Sequence, residues 1–109
     1  MATNTFTRYV AKGVGTAGNV LVTAAGNTQT TVMGLTVSNT TAGTITANVF
    51  VTASTVNYFI VQNATIASGG ALALFGGDGK LVLNTGDAFT VQTNTVSSAD
   101  AILSVLQIT

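Results

Sequence analysis

The sequence predicts an all-β chain: a single-domain antiparallel β-sandwich of jelly-roll type with about eight strands. Three observations predict it. Threonine fills about a fifth of the 109 residues and valine is frequent, while the helix formers Glu, Lys, Gln and Arg are scarce or absent. Branched side chains are stiff at χ1 and favour extended backbone. Apolar-rich segments recur at roughly ten-residue spacing, each bounded by Gly, Asn, Ser or Asp. Several of these segments alternate, with one face dry and the other hydroxylated, as in a strand with one side in a core.

Strands are predicted over residues 5–11, 18–24, 29–39, 44–53, 56–62, 70–75, 80–83, 88–93 and 100–108. Residues 1–17 read as an N-terminal arm or first strand, and 18–109 as the sandwich domain. In the first segment Phe6, Arg8 and Tyr9 cluster ahead of the glycine-rich stretch Gly13-Val14-Gly15-Thr16-Ala17-Gly18, which could act as a hinge. Met33, Leu35 and Val37 alternate with Gly34, Thr36 and Ser38. Ile45, Ala47, Val49, Val51 and Ala53 alternate with Thr44, Thr46, Asn48 and Thr52, and Asn39–Gly43 reads as a hairpin joining these two strands. Phe89 and Val91 alternate with Thr90 and Gln92. Gly69-Gly70, Gly76–Gly79 and Asn84-Thr85-Gly86-Asp87 supply turns.

Two segments depart from alternation. Val56–Val61 and Ile102–Ile108 are apolar on both faces, whereas a sandwich sheet has one inner face. Either a neighbouring subunit covers the second face, or the strands curl and loops cover them.

Composition narrows the function. The chain has no His, Cys, Trp, Pro or Glu, and its charged residues are Arg8, Lys12, Lys80, Asp78, Asp87 and Asp100, net charge zero. Acid–base catalysis relies on groups poised near neutrality, chiefly His and Glu, and metal sites rely on Cys, His and clustered carboxylates. No enzyme and no cofactor are expected. Three basic residues cannot neutralise a run of phosphates, so nucleic acid is not an expected partner. No window is apolar enough for a membrane span, and no apolar run beside Arg8 and Lys12 suggests a signal peptide. The charged share is 6 %, against ~25 % in ordinary domains. A surface of hydroxyls, amides and methyls is cheap to desolvate, which suits burial against other copies or other proteins.

Other motifs have bland readings. Gly76-Gly77-Asp78-Gly79-Lys80 lacks the Ser or Thr and the helix of a phosphate loop, and reads as a turn. Asp78 and Asp87 flank one short strand and could share Ca²⁺, but their expected role is to bond turn amides. Two sequons, Asn39-Thr40-Thr41 and Asn63-Ala64-Thr65, are expected by chance in so Thr-rich a chain.

With those residues placed, the chain resembles small virion proteins of tailed bacteriophages. The resemblance is carried by Thr5-Phe6-Thr7-Arg8-Tyr9-Val10, by Thr31–Thr41, by Gly77-Asp78-Gly79-Lys80-Leu81-Val82-Leu83 with Gly86-Asp87, and by Ala99-Asp100 to Ser104–Thr109. It implies a β-sandwich or jelly-roll particle component, most like a capsid decoration (cement) protein, a family usually trimeric on the head surface. It transfers no functional residue. The expected function is to stabilise a capsid by bridging adjacent major capsid subunits. The chain would be made in the host cytoplasm and carried on the virion as a homotrimer. Expected interface residues are Phe6, Arg8, Tyr9, Lys12, Ile102, Leu106 and Ile108. The alternative is a receptor- or carbohydrate-binding β-module of a tail fibre or baseplate, poorly served by a chain without Trp. A pilus-like bacterial surface domain is a third reading, weakened by the missing signal peptide.

Overall fold

Most segments rich in Thr and Val form strands, while Thr40–Thr44 and Asn94–Val96, which Gly43 and Asn94 interrupt, stay in loops. The structure, a computed structural model, describes residues 4–75 and 81–108. Among the described residues nine strands are present: β1 (Asn4–Val14), β2 (Asn19–Thr23), β3 (Gln29–Asn39), β4 (Ile45–Ala53), β5 (Val56–Ile66), β6 (Ala71–Leu74), β7 (Leu81–Leu83), β8 (Ala88–Thr93) and β9 (Ala99–Ile108). The described residues include no helix, so none is long and apolar enough to cross a membrane.

The strands form two sheets. One has the order β1-β9-β3-β6, with β7 also paired to β3, and the other β2-β8-β4-β5. Pairing is antiparallel and nested: β1 with β9, β2 with β8, β3 with β6 and β7, and β4 with β5. One long hairpin, its tip at residues 54–55, rolled onto itself gives this nesting. The predicted jelly roll is therefore present, with nine segments in eight strand positions. β6 and β7 share one position. Ala71–Leu74 pair with Ser38–Leu35 and Leu81–Leu83 with Val32–Thr30, so the second segment resumes the line of the first along β3.

The interruption lies beside a bulge. The β3–β9 register slips between Val32 and Gly34, so Met33 has no partner and the inward positions become Val32, Leu35 and Val37, all buried. The expected alternation of Met33 with Leu35 fails for this reason: an extra residue resets the parity of the strand. The expected Asn39–Gly43 hairpin is also corrected. β3 and β4 lie in different sheets, so this loop crosses the sandwich. The buried Asn39 organises it, donating from Nδ2 to the Gly43 and Ile66 carbonyls (2.7 and 3.0 Å) and accepting from the Thr41 amide and hydroxyl (2.9 and 2.7 Å).

The core lies between the sheets. Val32, Leu35, Val37, Leu83, Leu103 and Val105 meet Leu21, Ile45, Ala47, Val49, Phe89 and Val91. Each large aliphatic buried this way contributes roughly 1.5–3 kcal/mol before entropy is counted. The Phe75 ring stands edge-on to Phe89 at 6.2 Å between centroids.

Among the turns, Asn84–Asp87 forms as expected, the Asp87 amide donating to the Asn84 carbonyl and the Asn84 amide to the Asp87 carboxylate (2.9 and 3.0 Å). Gly69-Gly70 closes a turn through the Gly70 amide to the Ala67 carbonyl, 2.8 Å. The Gly76–Lys80 turn lies outside the described residues.

Candidate functional site: one face of the five-stranded sheet

The site is built by register. β1 runs against β9 with Phe6 opposite Leu106, Arg8 opposite Ser104 and Val10 opposite Ile102. Paired residues in a ladder share a face, and alternate residues of one strand return to it. Inward positions on β9 are Ala101, Leu103 and Val105, all buried. The even-numbered residues of β1 and β9 therefore share the outer face. β3 adds Thr31, Gly34, Thr36 and Ser38, which oppose Leu106, Ser104, Ile102 and Asp100.

Six of the seven expected interface residues meet here although they come from opposite ends of the chain: Phe6, Arg8, Lys12, Ile102, Leu106 and Ile108. Phe6 is 72 % exposed and Ile102 48 %. Leu106 and Ile108 are half-buried. Tyr9 is the exception and the expectation for it is corrected. It opposes Leu103, packs against the core, and its hydroxyl accepts from Gln107 Nε2 at 2.9 Å. Adjacent strand residues point to opposite faces, so Phe6 and Arg8 on one side place Tyr9 on the other.

Sequence reasoning missed Val10, 63 % exposed at the centre of the face. Its signal was parity, since it stands two residues beyond Arg8. Val82 opposes Thr31 from β7 and is likewise exposed.

Charge on the face is sparse. Lys12 Nζ meets Asp100 Oδ2 at 3.3 Å on the surface, a contact worth roughly 0–1 kcal/mol. The other Asp100 oxygen accepts from the Gly13 amide at 3.2 Å. That amide is freed by the slip between Ala11 and Val14, where Gly13 adopts φ 65°. The aspartate thus patches the bulge that ends β1. Arg8 has no acidic partner among the described residues. Shallow depressions mark the face, among them one of about 330 Å³ along Phe6, Arg8, Met33 and Ser104, one of about 260 Å³ along Val10, Lys12, Asp100 and Ile102, and one of about 370 Å³ at its end along Thr31 and Val82.

The glycine-rich stretch at the end of β1 is anchored at Val14 and Gly15, against the expectation of a hinge, while Thr16 and Ala17 form an exposed turn. Val14 is buried, its carbonyl accepts from the Ser98 amide at 2.9 Å, and a side chain at Gly15 would strike the Ser97 amide at 3.0 Å. Among the described residues no three His, Cys, Asp or Glu side chains group as a metal site. Asp78, half of the candidate Ca²⁺ pair, lies outside the described residues, and Asp87 bonds the turn amide given above.

The fold and face together define an all-β jelly-roll block with a broad sheet surface on which exposed apolar side chains stand beside Arg8 and the Lys12–Asp100 pair. No protein-family model matches the chain, and no curated protein matches it. Among solved structures it is similar to a chain from Bacillus endospore appendages, which form a novel family of disulfide-linked pili. The TM-score is 0.56 at 10 % identity, over 98 % of this chain and 86 % of that one. It is also similar to a chain of infectious bursal disease virus, Gx strain, with a TM-score of 0.42 and 12 % identity. There 96 % of this chain overlays 28 % of the viral one, a likeness too distant to carry weight. At 10 % identity the appendage likeness shows the shared fold.

Proposed function

We propose that this protein is a structural virion component, a head decoration protein that bridges adjacent major capsid subunits through the Phe6–Arg8–Val10–Ile102 face. The observation that carries the reading is that face: large apolar side chains held open on a rigid sheet. Exposed apolar patches of this kind mark interaction surfaces on proteins that otherwise hide them. Arg8 among apolar neighbours matches the aromatic-and-arginine composition of contact hot spots.

The mechanism is mechanical. The sandwich is a stiff block, the face lies across a seam, and three copies grouped as a trimer engage several subunits at once. Linked weak contacts then hold firmly, and only an assembled shell presents all the footprints together. No acid–base or metal chemistry is required.

The test uses particles carrying Phe6→Ser with Ile102→Ser. Both side chains are solvent-facing, so the variant is expected to fold, to dissociate from shells that retain the unaltered protein, and to leave those shells more sensitive to heat. Full retention with unchanged shell survival overturns the reading, as does finding the protein on tails.

A second reading is favoured by one observation. The appendage likeness covers nearly the whole chain, so the same block could serve as a subunit of a fibre. Electron microscopy of the purified protein separates the two: fibres support the second reading, and discrete small oligomers the first.

A further inference from the structure

A sandwich of two open sheets has four edges, and natural proteins blunt such edges with short strands, charges, bulges or prolines. Three edges here are blunted. β1 carries Arg8 and Lys12 and ends in the Gly13 bulge. β2 is five residues long. The β6/β7 edge is split into pieces of four and three residues.

β5 is different. It spans eleven residues without a charge or a proline, and among the described residues no strand pairs with its outer side. Its bulged half begins at Ile60. The register against β4 slips between Phe50↔Phe59 and Val49↔Val61 and again before Ala47↔Ala64, where Asn63 takes φ 55° and its amide donates to Asn48 Oδ1 at 2.7 Å. Ahead of those slips, Val56 to Phe59 pair with β4 in regular register.

That regular segment is also where the apolar side chains stand open. Tyr58 is 59 % exposed and Phe59 45 %, with Val56 exposed beside them. The Phe59 ring is held against Phe50 at 5.0 Å between centroids, so it is oriented before any partner arrives. Among the described residues no loop covers Val56–Phe59, whose side chains are exposed.

We propose that Val56–Phe59 pairs edge to edge, antiparallel, with the same segment of a second copy of this chain about a two-fold axis normal to the four-stranded sheet. Unpaired backbone amides and carbonyls along a short edge of regular register call for another strand. The second copy fits because the whole four-stranded sheet, β2, β4, β5 and β8, contains no charged residue. Self-pairing therefore meets no like-charge opposition in any register, whereas an uncharged edge offers a foreign strand no electrostatic match. The axis keeps faces in common, so Val56 and Tyr58 meet their equivalents on one side while Phe59 and Asn57 meet on the other. The contact is small and suits a link between neighbouring assemblies at high local concentration.

The proposal rests on the edge alone and stands or falls separately from attachment to a shell. The chain has no cysteine, so single reporters are clean. Asn57→Cys and, as a control on the other sheet, Val10→Cys are treated with a short bismaleimide at high protein concentration. Dimers are expected from Asn57→Cys and monomers from Val10→Cys. Adding Tyr58→Lys to the Asn57→Cys chain should abolish the dimer while the melting midpoint moves by only a few degrees. No dimer at position 57, equal cross-linking at both positions, or a dimer that survives Tyr58→Lys overturns the proposal.

Discussion

Asn39 shows how much one buried amide can hold. Its side chain makes four hydrogen bonds that tie the β3–β4 crossing to Gly43 and to Ile66 at the end of β5. Asn39→Ala removes the buried bond to the Ile66 carbonyl and leaves the half-buried Thr41 amide without its acceptor, while Gly43 keeps the Thr41 hydroxyl; a loss of about 2 kcal/mol is expected, and urea denaturation measures it. Thr30 is the opposite case. Its Oγ1 is buried with no hydrogen-bond partner among the described residues. Thr30→Val keeps the shape and removes the orphan, so a gain of about 1 kcal/mol is expected. An unchanged or lowered midpoint would mean that the hydroxyl is bonded after all. Ser54 and Thr55 occupy the tip of the β4–β5 hairpin at φ 51° and 66°. Both positive angles make a type I′ turn, which favours Asn-Gly and strains a branched residue. Replacing the pair with Asn-Gly should stabilise the fold by about 1 kcal/mol, read as a higher thermal midpoint.

At the scale of elements, β1 is an edge strand in full register with β9 from Asn4 to Ala11. An arm that could be removed would leave the sandwich intact. This strand instead sends Tyr9, Ala11 and Val14 inward against the core. Deleting residues 4–12 is expected to strip one side of β9 and abolish cooperative unfolding, seen as a broad or absent transition in circular dichroism. Attachment is therefore better probed by outward substitutions such as Phe6→Ser, which should move stability by less than about 1 kcal/mol.

For the whole molecule, sparse charge has a direct consequence. Only six charged residues are present in the chain, and the Lys12–Asp100 pair is exposed. Folding stability should change by less than about 0.5 kcal/mol between low and high sodium chloride, because little electrostatic energy is available to screen. Sulfate acts through burial of apolar surface, so it should raise both stability and self-association. A steep dependence on sodium chloride would show that ion pairing matters more than the composition allows.

Much of this was legible in the residues. The abundance of Thr and Val, the spacing of Gly and Asn, and the parity of Ile45-Ala47-Val49 determined strands, turns and a one-sided core, since these depend on χ1 stiffness, backbone freedom and a period of two. Tertiary structure alone decided which strands meet. The crossing at Asn39–Gly43 looks like a hairpin locally because a tight loop between two alternating strands has the same composition whether it stays in one sheet or changes sheets. The Met33 bulge was invisible for a similar reason: one unpaired residue shifts parity only relative to a partner strand that is distant in sequence. The face itself joins Phe6 and Arg8 to Ile102 and Leu106 across nearly the whole chain, a pairing fixed by sheet register and by nothing local to either segment.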